Sequence, residues 1–483
     1  MGLLLPESIC GNSEGRTETI AAKTNRREEL GGRESTRKLG RKLHAREKRL
    51  GNPAQDVAVT RVDLTAGRHT TMQCVGSMAV RLVALAVACE AFSPAMPAGL
   101  RTPMRAAASS GRSEPRVGVR TLRAMAANEQ HAATAMDWDT LASFPWGSIE
   151  TESMTVAKCG PETGGEWKSA EVVPYGNLPM PPKAGVLNYG QGLFEGMKAQ
   201  RTEDGRIVIF RPEKNAKRCY YGCERLLMPP VPEDVFVNAV KDCVIANAKW
   251  VPPKGKGSLY LRTIVIGSGP ILGLAPAPSY TLCCYVSPVG SYFKGNQLTP
   301  IKLKLETGFS RAAPGGSGGV KAIGNYAPSL MPQKKAKEEG FDNVIYLDAA
   351  EKKYLEEVGT SNVFIVKGKK VLTPALKGNG DPEDTILEGV TRDSLITLLK
   401  DKGYEVVETR VSIDDLLESD EAFTVGTAVV ISPIGEVSYM GKPHQWNYAD
   451  GSSGPVTKDL YETLVGIQTG THPDPYGWTV YLD

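Results

Sequence analysis

The sequence predicts a small α/β domain over residues 136–286 and a larger, strand-rich α+β domain over residues 301–483. Alternating strand and helix patterns predict the first domain, and short apolar strands with helices around them predict the second. Two prolines and two glycines among residues 287–300 indicate an interdomain loop. Residues 1–135 sustain no apolar period, and we interpret them as a targeting presequence or disordered leader.

In the small domain, each expected strand is a short apolar run. Pro232 stands in the first turn of the second helix, where its missing N–H breaks no hydrogen bond. We expect strands at 207–210, 259–266 and 280–286, and helices at 215–227 and 232–250.

The large domain opens with residues 301–307, where charged and apolar residues alternate in the strand period. Glycines end two helices: Gly340 follows a helix over 327–339, and Gly403 follows a helix over 392–402 that Thr391 caps. Ser412 caps a further short helix. The other strands are expected at 344–347, 363–366, 371–372 and 422–425.

The leader contains one patterned segment. The apolar run over 82–89 is far shorter than the roughly 20 residues that cross a bilayer, and it fits the core of a signal peptide. Ala91-Phe92-Ser93-Pro94 follows it, and then a stretch rich in arginine, alanine and serine. This order resembles the bipartite presequences of algae with secondary plastids, which implies a plastid location. A simple plastid or mitochondrial transit peptide is the alternative, and Met72 and Met78 are alternative start sites.

The net charge and the numbers of cysteines and histidines limit the kinds of binding and catalysis that the sequence can support. The net charge is +3, so electrostatics favour neither nucleic acid nor an anionic membrane as a partner. The nine cysteines form no Cys-x-x-Cys pair, which favours reduced, buried thiols over disulfides or a zinc site. Outside the leader the only histidines are His444 and His472, too few for a histidine-rich metal centre. We therefore expect lysine, carboxylates or a cofactor to do the chemistry.

Lys321 is the first catalytic candidate. It follows the glycine-rich residues 314–319 and has small, apolar neighbours, and desolvation there would lower the pKa of its amine from about 10.4. Tyr326 comes five residues later, and Glu357 precedes an apolar strand. Each has an ordinary alternative when taken singly, since most lysines are solvated and an acid at a sheet edge is usually exposed.

A second group of candidates suits an anion. The amides of Val390 and Thr391 stand at the start of a helix, and Thr427 offers a hydroxyl at a Gly-Thr-Ala turn. Helix starts bind phosphate, although an ordinary cap is the simpler interpretation. A lysine, a phenol, a carboxylate and a phosphate-binding helix are together what a pyridoxal-phosphate enzyme needs, because the lysine holds the cofactor and the carboxylate keeps its pyridine nitrogen protonated.

Six short motifs, in one order over residues 137–483, resemble those of the branched-chain amino acid aminotransferases, which are class IV pyridoxal-phosphate aminotransferases. The motifs are Leu193-Phe194-Glu195-Gly196-Met197-Lys198, Phe210-Arg211-Pro212, Tyr260-Leu261-Arg262-Thr263, Val320-Lys321 to Asn325-Tyr326-Ala327-Pro328, Glu357-Val358-Gly359-Thr360 with Asn362, and Gly426-Thr427-Ala428. The resemblance implies the fold-type IV architecture and a homodimer with active sites near the interface.

The same resemblance implies roles for the cofactor residues. Lys321 would be the Schiff-base lysine, Tyr326 would contact the ring oxygen, and Glu357 would pair with the pyridine nitrogen. The phosphate would be held by Arg211, the amides of Val390 and Thr391, and Thr427.

It also implies a substrate site. Tyr189, Phe194 and Tyr292 would form the walls for a branched side chain, and Thr360 with the Thr427-Ala428 turn would receive the α-carboxylate. Tyr260 and Arg262 would take the second carboxylate of glutamate.

The implied activity is reversible, ping-pong transamination between leucine, isoleucine or valine and 2-oxoglutarate, which gives branched 2-oxo acids and glutamate. A D-amino-acid aminotransferase or an aminodeoxychorismate lyase of the same fold is one alternative, and a non-catalytic protein that kept the fold is another. Some animal relatives carry a redox Cys-x-x-Cys pair after the Gly-Thr-Ala turn. Val429 and Ser432 stand at those positions here, so such regulation should be absent.

Overall fold

A computed structural model describes residues 136–291, 298–376, 384–449 and 451–482. The expected leader and Tyr292 lie outside these residues. No helix within them is long and apolar enough to cross a membrane. The six cysteines among them are free and buried, as expected from their spacing: Cys159, Cys219, Cys223, Cys243, Cys283 and Cys284.

The first sheet has seven strands: β1 Ser153–Cys159, β2 Glu171–Pro174, β3 Gly192–Arg201, β4 Ile207–Phe210, β5 Ser258–Gly267, β6 Tyr280–Val289 and β16 Thr479–Leu482. They pair antiparallel in the order β16-β4-β3-β5-β6-β1-β2. Its helices are α1 Gly185–Tyr189, α2 Pro212–Arg225 and α3 Glu233–Ala246, and side chains from α2 and α3 share one buried apolar cluster with the sheet.

The strands of the second sheet are β7 Ile301–Glu306, β8 Asn343–Leu347, β9 Leu355–Val358, β10 Ser361–Lys367, β11 Lys370–Pro374, β12 Glu405–Thr409, β13 Glu421–Gly426, β14 Val430–Tyr439 and β15 Lys442–Gln445. This sheet closes on itself, since β9 pairs with both β8 and β10 to complete a ring of β10, β13, β14, β7, β8 and β9. The accompanying helices are α4 Leu330–Glu338, α5 Val390–Asp401, α6 Ile413–Leu417 and α7 Pro455–Gln468.

Strand β10 separates two apolar cores, because successive side chains of a strand point to opposite faces. Val363 and Ile365 belong to one buried cluster with strands of the ring. Phe364 and Val366 belong to another, together with the apolar faces of α5 and α7. The ring is therefore packed on both sides at this strand, which makes it a rigid support for the loops at its ends.

Several boundaries differ from those expected from the sequence. The helix expected to start after a Thr391 cap begins two residues earlier, at Val390, with Gly389 as its N-cap and Thr391 inside its first turn. The helix expected over 327–339 opens with 3₁₀ turns at 323–325 and 327–329 and becomes α-helical only at Leu330. Strand β6 runs three residues further than expected, into the segment interpreted as a loop.

The last strand was not expected. Thr479–Leu482 pairs antiparallel with β4, so the end of the chain returns to the first sheet instead of remaining with the second. Beside this pairing, the amide of Arg211 donates a hydrogen bond to the carbonyl of Trp478 at 2.8 Å.

Candidate active site

Lys321 is held at an end of β3. Its carbonyl accepts a hydrogen bond from the amide of Phe194 at 3.2 Å, and the next residue, Ala322, bridges to Leu193. Its amine lies 3.3 Å from the hydroxyl of Tyr326 and 4.7 Å from the centre of the Phe194 ring. The two residues that the sequence placed five apart therefore meet at their functional atoms.

Burial changes the protonation of both groups. Desolvation, with a further contribution from the positive charge of Arg218, lowers the pKa of Lys321 to about 7. Desolvation also raises the pKa of Tyr326 to about 12. At neutral pH the lysine amine is thus partly neutral and able to accept a proton, while the phenol keeps its hydrogen.

Glu357 forms a buried ion pair that the sequence did not indicate. Arg311 Nη2 lies 2.7 Å from its Oε2, and both side chains are almost fully buried. The other oxygen accepts hydrogen bonds from the amide of Leu387 at 2.7 Å and from Asn362 Nδ2 at 3.0 Å. Burial raises the pKa of Glu357, and the positive charge of Arg311 opposes that rise. A carboxylate in this balance can share a proton with a basic nitrogen.

A cavity with about 360 Å³ of empty space lies at the N-terminus of α5. Val390 and Thr391, the first two residues of that helix, line it together with Thr427. Their amides belong to the first turn, where N–H groups have no partner within the helix, and the helix dipole adds positive potential. The three anion-binding candidates of the sequence therefore meet at one cavity.

Arg211 lies beside this cavity, at the N-cap of α2. Its guanidinium contacts Asp393 at 2.7 Å and Ser394 Oγ at 2.7 Å and packs 4.8 Å from the ring centre of Trp478. Its Nε is buried without a hydrogen-bond acceptor among the described residues. A φ of 48° puts this arginine in the left-handed region, an unusual conformation for a residue with a side chain and one that concentrates at functional sites.

Phe194 is the centre of an aromatic and cationic group near Lys321. Its ring lies 4.7 Å from that of Tyr326, and the Arg262 guanidinium lies 4.5 Å above it. Tyr260 stands 5.5 Å from the same guanidinium and packs against Trp146. Gly196 leaves room for this tyrosine, because a Cβ there would stand 2.2 Å from its hydroxyl.

The remaining candidates are less closely grouped. Ala428 lies in the hairpin turn between β13 and β14, beside Thr427, and its carbonyl accepts a hydrogen bond from Lys198. Thr360 is exposed on the turn between β9 and β10. Its backbone lies close to Gly426, since a Cβ added to that glycine would stand 3.7 Å from the Thr360 carbonyl oxygen. Tyr189 ends α1, is 42% exposed and donates to the carbonyl of Leu272. Within the described residues we find no hydrogen bond or ring contact between Tyr189 and Lys321.

Comparison with known proteins identifies the family. The sequence model of the class IV amino-transferases matches residues 192–437. "Branched-chain amino acid aminotransferase 2, chloroplastic" of Humulus lupulus is 50% identical over 347 residues, which cover 72% of this chain and 82% of that protein. The chain belongs to the branched-chain amino acid aminotransferases of class IV.

Solved structures of such aminotransferases share its fold. The Escherichia coli branched-chain amino acid aminotransferase is 26% identical and has a TM-score of 0.56, with 69% of this chain and all of that chain covered. The T.th. enzyme complexed with N-(5'-phosphopyridoxyl)-L-glutamate is also 26% identical, with a TM-score of 0.57 and the same coverage. The expected fold-type IV architecture is thereby confirmed.

This aminotransferase contains a second buried ion pair that the sequence did not indicate. Arg218 on α2 holds Glu195 through two hydrogen bonds, at 2.8 and 2.6 Å, and donates a third to the carbonyl of Glu388 at 2.7 Å. It thus joins β3 to the segment that leads into α5. Glu195 lies in the Leu-Phe-Glu-Gly motif, but no local pattern shows that its partner stands 23 residues later.

Glu356 is the neighbour of Glu357 and points to the other face of β9, where it lines a separate cavity with about 280 Å³ of empty space. Its Oε2 is buried without a hydrogen-bond partner among the described residues, and desolvation raises the pKa of Glu356 from the ordinary 4.5 to about 8. Glu356 is therefore protonated at neutral pH.

We expect Glu356→Gln to stabilise the aminotransferase more at pH 9 than at pH 5. The folded-state pKa exceeds the unfolded one, so the folded protein loses stability as pH rises from about 4.5 to about 8, and a neutral amide removes this loss. One unit of pKa shift corresponds to about 1.4 kcal/mol, and the gain in unfolding free energy between the two pH values should be at least that large. Denaturant unfolding of parent and variant measures it. The same difference in unfolding free energy between parent and variant at both pH values would contradict the raised pKa of Glu356. The control is Glu166→Gln, because Glu166 is exposed and its substitution should show no such dependence on pH.

Proposed function

We propose that this protein catalyses reversible transfer of the amino group of leucine, isoleucine or valine to 2-oxoglutarate with pyridoxal 5'-phosphate. One observation carries the proposal: a lysine amine 3.3 Å from a part-buried phenol lies in one site with a buried carboxylate–arginine ion pair. The names of the relatives and of the solved structures support the substrate class and the cofactor.

The residues of the site fit the cofactor. The buried Nε of Arg211 has no hydrogen-bond acceptor in the described part of the chain, and the amides at the start of α5 with Thr427 offer further donors, as a phosphate requires. Glu357 would face the pyridine nitrogen and Tyr326 the ring oxygen. When bound, the cofactor draws electrons from the substrate carbon and so makes the α proton removable.

Lys321 does two things in this proposal. Its amine would hold the cofactor covalently between turnovers and, when free, would accept the α proton of the amino acid. The pKa of about 7 supports the second role, because a catalytic base works best when its pKa lies near the working pH. Tyr326 and Phe194 flank the amine and restrict its position.

One site must accept an apolar side chain and a charged one in turn, because the branched 2-oxo acid leaves before 2-oxoglutarate enters. Phe194 offers an apolar wall, and we propose Tyr189 and Tyr292 as further walls. Arg262 has no carboxylate within ion-pair distance among the described residues, and its Nε is buried without an acceptor. It is thus placed to receive the second carboxylate, with Tyr260 beside it.

We also infer a plastid location and a homodimer. The name of the Humulus lupulus relative supports the first. For the second, Tyr189 contacts a region of exposed apolar side chains on α1 and on the loop between β5 and β6, including Leu187, Leu272 and Leu274, which are 59%, 71% and 88% exposed. Such a surface favours association with a second copy.

A substrate panel tests the function. With glutamate as amino donor, we expect fast conversion of 4-methyl-2-oxopentanoate and of the oxo acids of isoleucine and valine. If the protein is instead a D-amino-acid aminotransferase, D-alanine should react with 2-oxoglutarate at rates equal to or higher than those of the branched-chain substrates. If the protein is an aminodeoxychorismate lyase or has kept only the fold, no amino group should be transferred to any branched oxo acid.

Arg262→Met should separate the two substrates of this reaction. A hydrogen bond to a charged group is worth about 1.5–3 kcal/mol, so the KM for 2-oxoglutarate should rise about 10- to 100-fold. The KM for 4-methyl-2-oxopentanoate should change less than about threefold, because methionine keeps the apolar contact with Phe194. Steady-state kinetics with each oxo acid measures both values, and a parallel rise for the two substrates would refute this role.

A further inference from the structure

Lys198 is a part-buried lysine that the proposed chemistry does not use. It lies on β3 opposite Tyr260 and lines the cavity at the start of α5. Its amine donates a hydrogen bond to the carbonyl of Ala428 at 2.6 Å, 230 residues away in sequence. Burial lowers the pKa of Lys198 to about 8, so at neutral pH most of the amine is charged. An ammonium has three donors, and this bond uses one of them.

The turn that Lys198 contacts is strained. Thr427, Ala428 and Val429 form a three-residue hairpin turn between the paired residues Gly426 and Val430. Val430 has a φ of 64°, in the left-handed region that β-branched residues avoid. Such a conformation persists only where the surroundings hold it. Besides the Lys198 bond, the Thr427 hydroxyl reaches the carbonyl of Gly196 at 3.4 Å.

The same turn carries backbone amides that can donate hydrogen bonds to a ligand. Among the hydrogen bonds of the described residues, none uses the amides of Thr427 or Ala428. With the Ala428 carbonyl held by Lys198, the turn is fixed in one orientation, and the part-buried positive charge of Lys198 stands next to it. Available amides beside a part-buried cation favour an anion, and a fixed orientation lowers the entropic cost of binding it.

We propose that Lys198 is a positioning residue, whose hydrogen bond to Ala428 fixes the Thr427–Ala428 turn so that its amides receive the α-carboxylate of the substrate. The inference rests on the proposed function for the identity of the substrate. It assigns the lysine no part in proton transfer.

The test measures binding instead of turnover. The probe is 4-methylpentanoate, which has the leucine skeleton without the amino group, and its Kd for the cofactor-loaded enzyme is measured by calorimetry. Lys198→Met removes the donor and the charge, and we expect at least about tenfold weaker binding, the effect of one hydrogen bond to a charged group. Lys198→Arg keeps both and should bind within about threefold of the parent. Cofactor content should be the same in all three proteins.

Lys158→Met is the matched control, because Lys158 is a part-buried lysine of the same sheet that bonds Thr281 at 2.8 Å. It should leave the Kd unchanged. Binding by Lys198→Met within twofold of the parent, or equal losses in both methionine variants, would overturn the proposal. If Lys198→Met does not fold, Lys198→Gln replaces it. An enzyme that binds the probe but cannot transaminate leucine would refute the proposed function and leave this inference standing.

Discussion

Replacing Lys321 by alanine is expected to lower the rate of leucine transamination at least about 10³-fold. Proton transfer by a positioned base alone contributes about 10²–10⁴-fold, and the variant also loses the covalent attachment of the cofactor. Lys321→Arg should be equally inactive although it keeps the positive charge, because a guanidinium with a pKa above 12 cannot act as a base at neutral pH.

The comparison is made under saturating leucine and 2-oxoglutarate, with glutamate formation as the readout. Lys334→Ala is the control, since the Lys334 side chain is 74% exposed on α4 and should not affect the rate. All three variants should have the circular dichroism spectrum of the parent. Residual activity of Lys321→Ala above a tenth of the parental rate would mean that another group is the base.

Glu357→Gln is expected to lower kcat at least about 10²-fold. Glutamine has nearly the same shape, but it carries no negative charge to keep a pyridine nitrogen protonated. The substitution also leaves Arg311 as an unpaired buried charge, and breaking a buried pair costs about 3–5 kcal/mol. The rate must therefore be measured at a temperature at which circular dichroism shows the variant to be folded.

The adjacent Glu356→Gln supplies a matched control. Glu356 is as deeply buried and lies on the same strand, but it points to the opposite face of β9 and is already neutral at pH 7. We expect its kcat to stay within about threefold of the parent. Equal losses of kcat in the two variants would attribute the effect to packing of β9, and the role of the Glu357 charge would have to be abandoned.

Local sequence patterns predicted the parts of the site that lie within one turn or loop. The contact of Lys321 with Tyr326 spans five residues, and the amides of Val390 and Thr391 follow from the start of a single helix. Even there, the prediction that Thr391 caps this helix was wrong. Gly389 adopts the extended N-cap conformation and places Thr391, whose residue type predicted a cap, inside the helix.

Contacts between distant segments could not be predicted in this way. Arg311 follows β7 and meets Glu357 of β9 because the ring of strands places β7 and β9 on either side of β8, and neither residue carries a local signal for the other. The bond from Lys198 to Ala428 likewise depends on how two sheets meet. Strand β16 has an ordinary strand pattern of four residues, and its pairing with β4 follows only from the complete topology.

The covalent bond between Lys321 and pyridoxal phosphate is the central claim, and borohydride reduction of the purified enzyme tests it most directly. Trypsin does not cleave after a modified lysine, so reduction should yield a single labelled peptide, residues 312–334, that carries the mass of the reduced cofactor on Lys321. Without reduction the same region should be cut after Lys321 into two unlabelled peptides. A cofactor label found on Lys198 or any other lysine, or no label at all, would contradict the account.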